Sequence, residues 1–343
     1  MTLQIYNESG AVLAHTPLVQ AETSVPLKVL FVTNMYPDSA NPASGAFVFQ
    51  QAEHLRKAGH QVDVVHIKGS SSRLNYLKTT IDVFSRTRTE SFDVVHAHYG
   101  LSGFPALFRY KTPLVITLHG SDALSGWIQP CISKAVCLFA DAVIAVSKGI
   151  CAKIGGEVIP CGIDLTVFRP HDRMAARNRL GLPLRGRLVL FPFDPLRQIK
   201  RYDLARGAVE RLGDPDTHIL TVWGKQNEEM PWYYSAADVM LLCSKSEGSP
   251  TSVKEALACN IPVVSTDVGD VREIVDGIDG CEICDSKTES LAQGLKRVLD
   301  RQVGNSFEGH LSMQRYDHSR VIAAIVKVYD RVIHRPFGAS HRR

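Results

Sequence analysis

The sequence predicts an α/β protein built from two doubly wound domains, each a parallel sheet covered by helices on both faces. Short Val/Ile/Leu-rich runs alternate with helical patterns from residue 27 onward. The alternation restarts after a Pro/Arg-rich stretch, FRPHDRMAARNRLGLPLRG, at 168–186. The 343 residues also exceed the roughly 250–300 at which a single core stops growing.

Residues 1–26 hold no sustained period and are expected to form a tail or an edge element. The first domain then runs 27–170, with strands LKVLFVT (27–33), QVDVVHI (61–67), FDVVHAH (92–98), PLVITLH (113–119), ADAVIAVS (140–147) and EVIP (157–160), and helices near 46–58 and 103–109. Near-continuous apolar runs mark strands buried on both faces. The segment KGSSSRLNYLKTTIDVFSRTRTE (68–90) is basic and sets Leu74, Leu77, Ile81 and Phe84 at helical spacing. That stripe is expected to face the core with the basic side in water. The alternative use of such a helix is contact with an acceptor or an anionic membrane surface.

The second domain is expected over 171–310. Its strands are RLVLFPF (187–193), HILTVWG (218–224), DVMLLCS (238–244), IPVVST (261–266) and GCEIC (280–284), and its helices lie near 200–212, 250–258, 270–275 and 287–301. The last segment, 311–343, opens at a capping Asp317 or Ser319. It places Val321, Ile322, Ile325, Val326, Tyr329 and Val332 on one stripe. Such a helix needs a surface, expected to be the first domain. Two doubly wound domains facing each other imply a ligand cleft between the carboxyl ends of their strands.

Composition removes several functions. The 39 Lys+Arg and 35 Asp+Glu give a net charge of +4, too small an excess for a nucleic-acid signature. No apolar run approaches the ~18–20 residues that span a bilayer, and the N-terminus lacks a secretory pattern, so a soluble, cytoplasmic protein is expected. The eight cysteines lie in apolar segments and are expected to be reduced. Cys281 and Cys284, three apart in a strand-like run, point to opposite faces, so no metal site is expected there. No GxGxxG follows the first strand, which reads on as TNMYPDSANPASGAF, against a dinucleotide-dependent dehydrogenase.

The chemistry concentrates in EGSPTSVKEALACNIPVVSTDVGDVREIV (247–275), where Glu247 and Glu255 flank a Gly-Ser-Pro turn that opens a helix. Free N–H groups at such a helix start bind phosphate, and the two acids can reach hydroxyls on either side of it. Together they suit a sugar diphosphate.

This stretch resembles the E-x7-E motif of retaining glycosyltransferases of the GT-B fold, in particular family 4. The blocks DVVHAHYGLSG (93–103), VITLHGSDAL (115–124), ADAVIAVSKGI (140–150), VIPCGIDLTVFRP (158–170) and YSAADVMLLCSKSEGSP (234–250) extend the likeness in order over roughly 27–335. The resemblance implies that Glu247 accepts hydrogen bonds from donor-sugar hydroxyls and that Glu255 binds the nucleotide ribose. It also implies that the amides of Gly248 and Ser249 face the sugar, that those of Ser252 and Val253 meet the diphosphate, that Gly45 lies against the donor phosphate, and that His119 stands beside the reacting centre with Asp122 as its neighbour. The family commonly places Gly-Arg and then Lys-Gly after the first strand of the second domain. Here Phe193-Asp194 and Lys200-Arg201 stand in those places. Lys200 carries over, Arg197 is the expected substitute for the missing Arg, and Arg201 is a further candidate. QNEEMP (226–231) replaces a longer stretch that in many relatives helps hold the base.

The implied activity is retaining, metal-independent transfer of a sugar from a nucleotide-diphosphate donor, UDP-sugars ahead of GDP-sugars, to an acceptor hydroxyl. No cofactor is expected, and the partners include no nucleic acid. Peripheral contact with the inner face of the membrane is an added expectation. The alternatives are a nucleotide-sugar epimerase or a GT-B protein that binds donor without transfer.

Overall fold

A computed structural model describes residues 25–39, 44–68, 74–124, 126–301, 307 and 309–334. Most of the expected tail, 1–24, lies outside them. The first domain comprises β1 (Lys28–Thr33), α1 (Ala46–Lys57), β2 (Gln61–His66), α2 (Leu74–Thr89), β3 (Val94–His98), α3 (Gly100–Ala106), β4 (Leu114–Leu118), α4 (Ser121–Leu124), α5 (Ile128–Cys137), β5 (Ala142–Ala145), α6 (Lys148–Ile154) and β6 (Glu157–Val158). Its strands form one parallel sheet in the order β2-β1-β3-β4-β5-β6. Every residue of β3 and β4, both interior to the sheet, is buried, as in a parallel sheet covered on both faces.

The second domain comprises α7 (Arg173–Leu180), β7 (Arg187–Phe191), α8 (Tyr202–Glu210), β8 (Thr217–Thr221), α9 (Met230–Ala236), β9 (Val239–Leu242), α10 (Thr251–Ala258), β10 (Val263–Thr266), α11 (Val271–Val275), β11 (Glu282–Cys284), α12 (Thr288–Asp300) and α13 (Gly309–Ser312). Its parallel sheet runs β11-β10-β9-β7-β8. Leu204 and Ala205 of α8 join Leu291 and Leu295 of α12 on one face, while Val253 and Leu257 of α10 pack on the other. The architecture is therefore the GT-B arrangement of two facing Rossmann-like domains.

The last helix, α14 (His318–Ile333), is capped by Asp317, whose carboxylate accepts from the Ser319 N–H at 2.8 Å. Its stripe, Val321, Ile322, Ile325, Val326, Tyr329 and Val332, is buried against Leu27, Val29 and Phe31 of the first domain. The chain thus crosses between domains twice, and the crossings run side by side. Ile163 donates to the Tyr316 carbonyl and His318 donates to the Ile163 carbonyl, both at 2.9 Å.

Three local expectations are corrected. The helix expected near 103–109 begins at Gly100, because the Gly100 and Gly103 backbones press against Ser133 and Val136 of α5, where a side chain would clash. The 168–186 connection contains α7, capped by Asp172 through the Ala175 N–H and closed by left-handed Gly181. The third correction is α2. Its buried residues are Thr79, Val83 and Thr87, while Leu77 is 58 % and Ile81 71 % exposed, so the leucine stripe faces outward. Polar anchors set this rotation. Arg86 pairs with Asp63 at 2.6 Å, the Tyr110 N–H donates to Thr87 Oγ1, and Asn34 reaches the Tyr76 hydroxyl. The Thr79 and Thr87 hydroxyls return their own protons to the carbonyls four residues back, which lets them be buried.

Candidate active site

A cleft of about 890 Å³ lies between the domains at the carboxyl ends of both sheets. Gly45, Tyr99 and His119 line it from the first domain. Arg197, Lys200, Glu247, Gly248, Ser249, Ser252 and Glu255 line it from the second. Most of the residues singled out in the sequence, 210 positions apart at the extreme of Gly45 and Glu255, thus meet in one cavity. Three do not line it. Val253 is buried in the core behind the α10 start, Arg201 turns to Asp203 and Ser286, and Asp122 sits beneath the His119 loop.

The phosphate-type end is built by α10. Pro250 precedes the helix without a capping side chain, so the first N–H groups, those of Thr251, Ser252 and Val253, have no partner within the helix. Beside them Lys200, largely buried on the short 3-10 turn Gln198–Lys200, places Nζ 2.6 Å from Glu247 Oε1 and 4.1 Å from the Phe193 ring centre. Phe193 is the platform for that ammonium. Arg197 stands exposed at the rim of the same cleft. Glu255 accepts from the Tyr234 hydroxyl at 2.7 Å, and burial raises its carboxyl above the usual range.

Across the cleft, His119 follows β4. Its position is set by Asp122, which accepts from the backbone N–H groups of Gly120 (2.8 Å), His119 (3.1 Å) and Gly100 (3.1 Å). His119 Nε2 shares a 3.0 Å hydrogen bond with His98 Nδ1, and the Phe47 and Tyr99 rings lie at 4.7 and 4.9 Å. Burial pushes the His119 imidazole down to about 3, so it is neutral at pH 7. The two halves touch through glycines. A β-carbon at Gly248 would overlap the His119 carbonyl, and one at Gly120 would stand 2.9 Å from the Gly248 nitrogen. Gly45, at φ +62°, opens α1, and its own β-carbon would run into the Met35 carbonyl. The turn itself therefore requires this glycine.

Sequence reasoning missed the support behind Ser249. Lys254, 0 % exposed, donates to Ser249 Oγ (2.6 Å) and to the Cys161 carbonyl (2.7 Å), and Ser249 donates to Asp270 Oδ2 (2.6 Å). A lysine beside a motif glutamate looks like a surface charge in a sequence; only packing reveals it as a tie between the cleft loop and the interdomain crossing. Tyr99, which holds a positive φ of 74° and lines the cleft beside His119, was also missed, although it stands directly before Gly100 in HAHYG.

Residues 44–167 match the family described as Glycosyltransferase Family 4, and residues 201–301 match Glycosyl transferases group 1. Among curated relatives, the chain is 29 % identical to TuaC of Bacillus subtilis, named for a glycosyltransferase role in teichuronic acid biosynthesis, over 81 % of this chain and 90 % of that protein. It is 26 % identical to the D-inositol 3-phosphate glycosyltransferase of Geodermatophilus obscurus, over 73 % and 69 % respectively. Among solved structures, sucrose-phosphate synthase from Thermosynechococcus elongatus superposes with a TM-score of 0.76 at 18 % identity, covering 90 % of this chain and 99 % of that one. HepE of Anabaena, in complex with UDP and glucose, superposes with a TM-score of 0.69 at 17 % identity, covering 89 % and 100 %.

Proposed function

Because the chain belongs to the GT-B glycosyltransferases of the family 4 type, we propose that it moves a sugar from a nucleotide-diphosphate donor to an acceptor hydroxyl with retention at the anomeric carbon and without a metal. The observation that carries this reading is the convergence of Lys200, Glu247 and the free N–H groups of α10 opposite His119 in one cleft.

On this reading the diphosphate lies at the α10 start, where backbone N–H groups and the Lys200 ammonium stabilise the charge that gathers on it as the glycosidic bond breaks. Arg197 adds charge from the rim. Glu247, now holding Lys200, turns to donor-sugar hydroxyls, and the Gly248 and Ser249 amides face the same sugar. Glu255 takes the ribose. Neutral His119 hydrogen-bonds the sugar without adding charge, and Asp122 acts on it through the loop backbone. Gly45 leaves room beside the phosphate. The departing phosphate oxygen takes the acceptor proton on the face it leaves, which preserves the anomeric configuration. A uridine donor is favoured by the likeness to HepE, whose structure holds UDP.

The test is a panel of UDP-, GDP- and dTDP-sugars read first by thermal shift, since a ligand of the native state raises the midpoint, and then by NMR of the product in EDTA. An α-linked product from an α-linked donor is expected. An inverted product, a requirement for Mg²⁺ or Mn²⁺, or isomerised donor without transfer would each overturn it.

A further inference from the structure

Twelve of the twenty large apolar side chains exposed among the described residues lie between Leu74 and Phe139. They sit on three neighbouring helices. α2, α3 and α5 send Val83, Ala106 and Val136 into the same core on one side of the first sheet, so their outer surfaces share one face of the molecule. Leu77 and Ile81 project from α2, Phe104 and Phe108 from α3 and its end, and Trp127, 78 % exposed, and Phe139 from the two ends of α5. The patch is continuous. Phe84 meets Tyr110 edge-on at 6.3 Å, and Arg109 links the end of α3 to the Phe139 carbonyl.

Its charge is predominantly positive. Lys78, Arg88, Lys111 and Lys134 are exposed around the apolar residues, while Asp82 is the one exposed acid on these three helices. Monomeric proteins seldom expose so much contiguous apolar surface without using it. A two-fold contact between copies through this face would set its cations against each other. An anionic bilayer offers apolar depth for the side chains and negative charge for the rim.

We propose that the outer face of α2, α3 and α5 docks on an anionic membrane surface. The start of α3, directly after the cleft-lining Tyr99, belongs to this face. Leu101 also lines a side cavity of about 140 Å³ that shares Met35 and Tyr99 with the main cleft. Docking would therefore hold the mouth of the cleft at the bilayer. The proposal does not rest on sugar transfer, because vesicle binding is measured without donor.

The experiment is flotation of the full chain with phosphatidylcholine vesicles, with and without about 30 mol % phosphatidylglycerol, at low and high salt. Binding is expected to anionic vesicles only, to fall with salt, and to drop about tenfold or more in Leu77→Ser/Ile81→Ser. Because both residues are exposed, this variant should keep the wild-type melting temperature; Leu196→Ser, exposed on the second domain, should bind as wild type. Brominated lipid should quench tryptophan emission, and Trp127→Phe should remove that quenching. The proposal is overturned if anionic vesicles do not bind, if the double variant binds as wild type, or if its effect is to dissociate a dimer that ignores vesicles.

Discussion

At the residue scale, the proposed site rests on charges that are already paired with one another. Lys200 and Glu247 form a close pair, so replacing either one releases the other. Glu247→Ala should therefore leave UDP affinity unchanged or higher while lowering transfer, whereas Lys200→Ala should weaken UDP and UDP-sugar alike. Parallel losses in both variants, measured by calorimetry, would separate these residues from the division of roles. Glu255→Gln keeps an acceptor for the Tyr234 hydroxyl but removes the charge; donor binding should weaken by about 1.5–3 kcal/mol. An unchanged donor affinity would remove Glu255 from the ribose. Lys254 is different in kind, because its charge is wholly enclosed and burial pulls its pKa down while Asp270 opposes that pull. Lys254→Ala leaves the Asp270 carboxylate without its cation and should cost about 3–5 kcal/mol in urea unfolding. The double variant Lys254→Met/Asp270→Asn, with neither charge, should recover part of that loss. A Lys254→Ala midpoint equal to wild type would show that the network holds nothing.

At the element scale, the loops after β4 and β9 meet because neither carries a side chain at the point of contact. Gly248→Ala should drive the His119 loop away, enlarge the radius of gyration in X-ray scattering and depress transfer. Gly149→Ala, in α6 with nothing within 4 Å, is the control and should be neutral or stabilising by up to about 1 kcal/mol. Equal compactness and transfer in both variants would show that the glycine contact does not matter. The helix caps explain which elements the sequence reveals. Asp317 before the α14 stripe is readable, because a capping acid and a 3.6-residue period agree. In α2 the two signals conflict. Its leucines have the period of a buried stripe, but threonines and an arginine choose the buried side through partners on other elements. Local pattern contains no trace of those partners.

At the scale of the whole molecule, a group of enclosed imidazoles ties stability to pH. His96 joins the Tyr329 hydroxyl of α14 at 2.6 Å and Thr117 of β4 at 2.7 Å, and burial pushes its imidazole down to about 3. His318, at the second crossing between domains, is likewise pushed down to about 3 by burial. Both native values lie below the unfolded value near 6.5. Their contribution is complete above that pH and is lost as pH falls toward 3, at up to about 1.4 kcal/mol per pH unit for each imidazole. The urea midpoint should therefore fall steadily from pH 7 to pH 5, and less steeply in His318→Gln. A midpoint that stays level over this range would refute the linkage. What the sequence by itself determined was the architecture and the motif. Strand runs buried on both faces, the restart after 168–186 and the Glu247–Glu255 spacing depend on residues close together in the chain, where period and capping act directly. What only the tertiary structure decided was the pairing of Lys200 with Glu247, the enclosure of Lys254, the His98–His119 contact and the outward turn of the α2 stripe. Each depends on which distant atoms arrive beside a residue, and burial, charge and hydrogen bonding are properties of that arrival rather than of the residue.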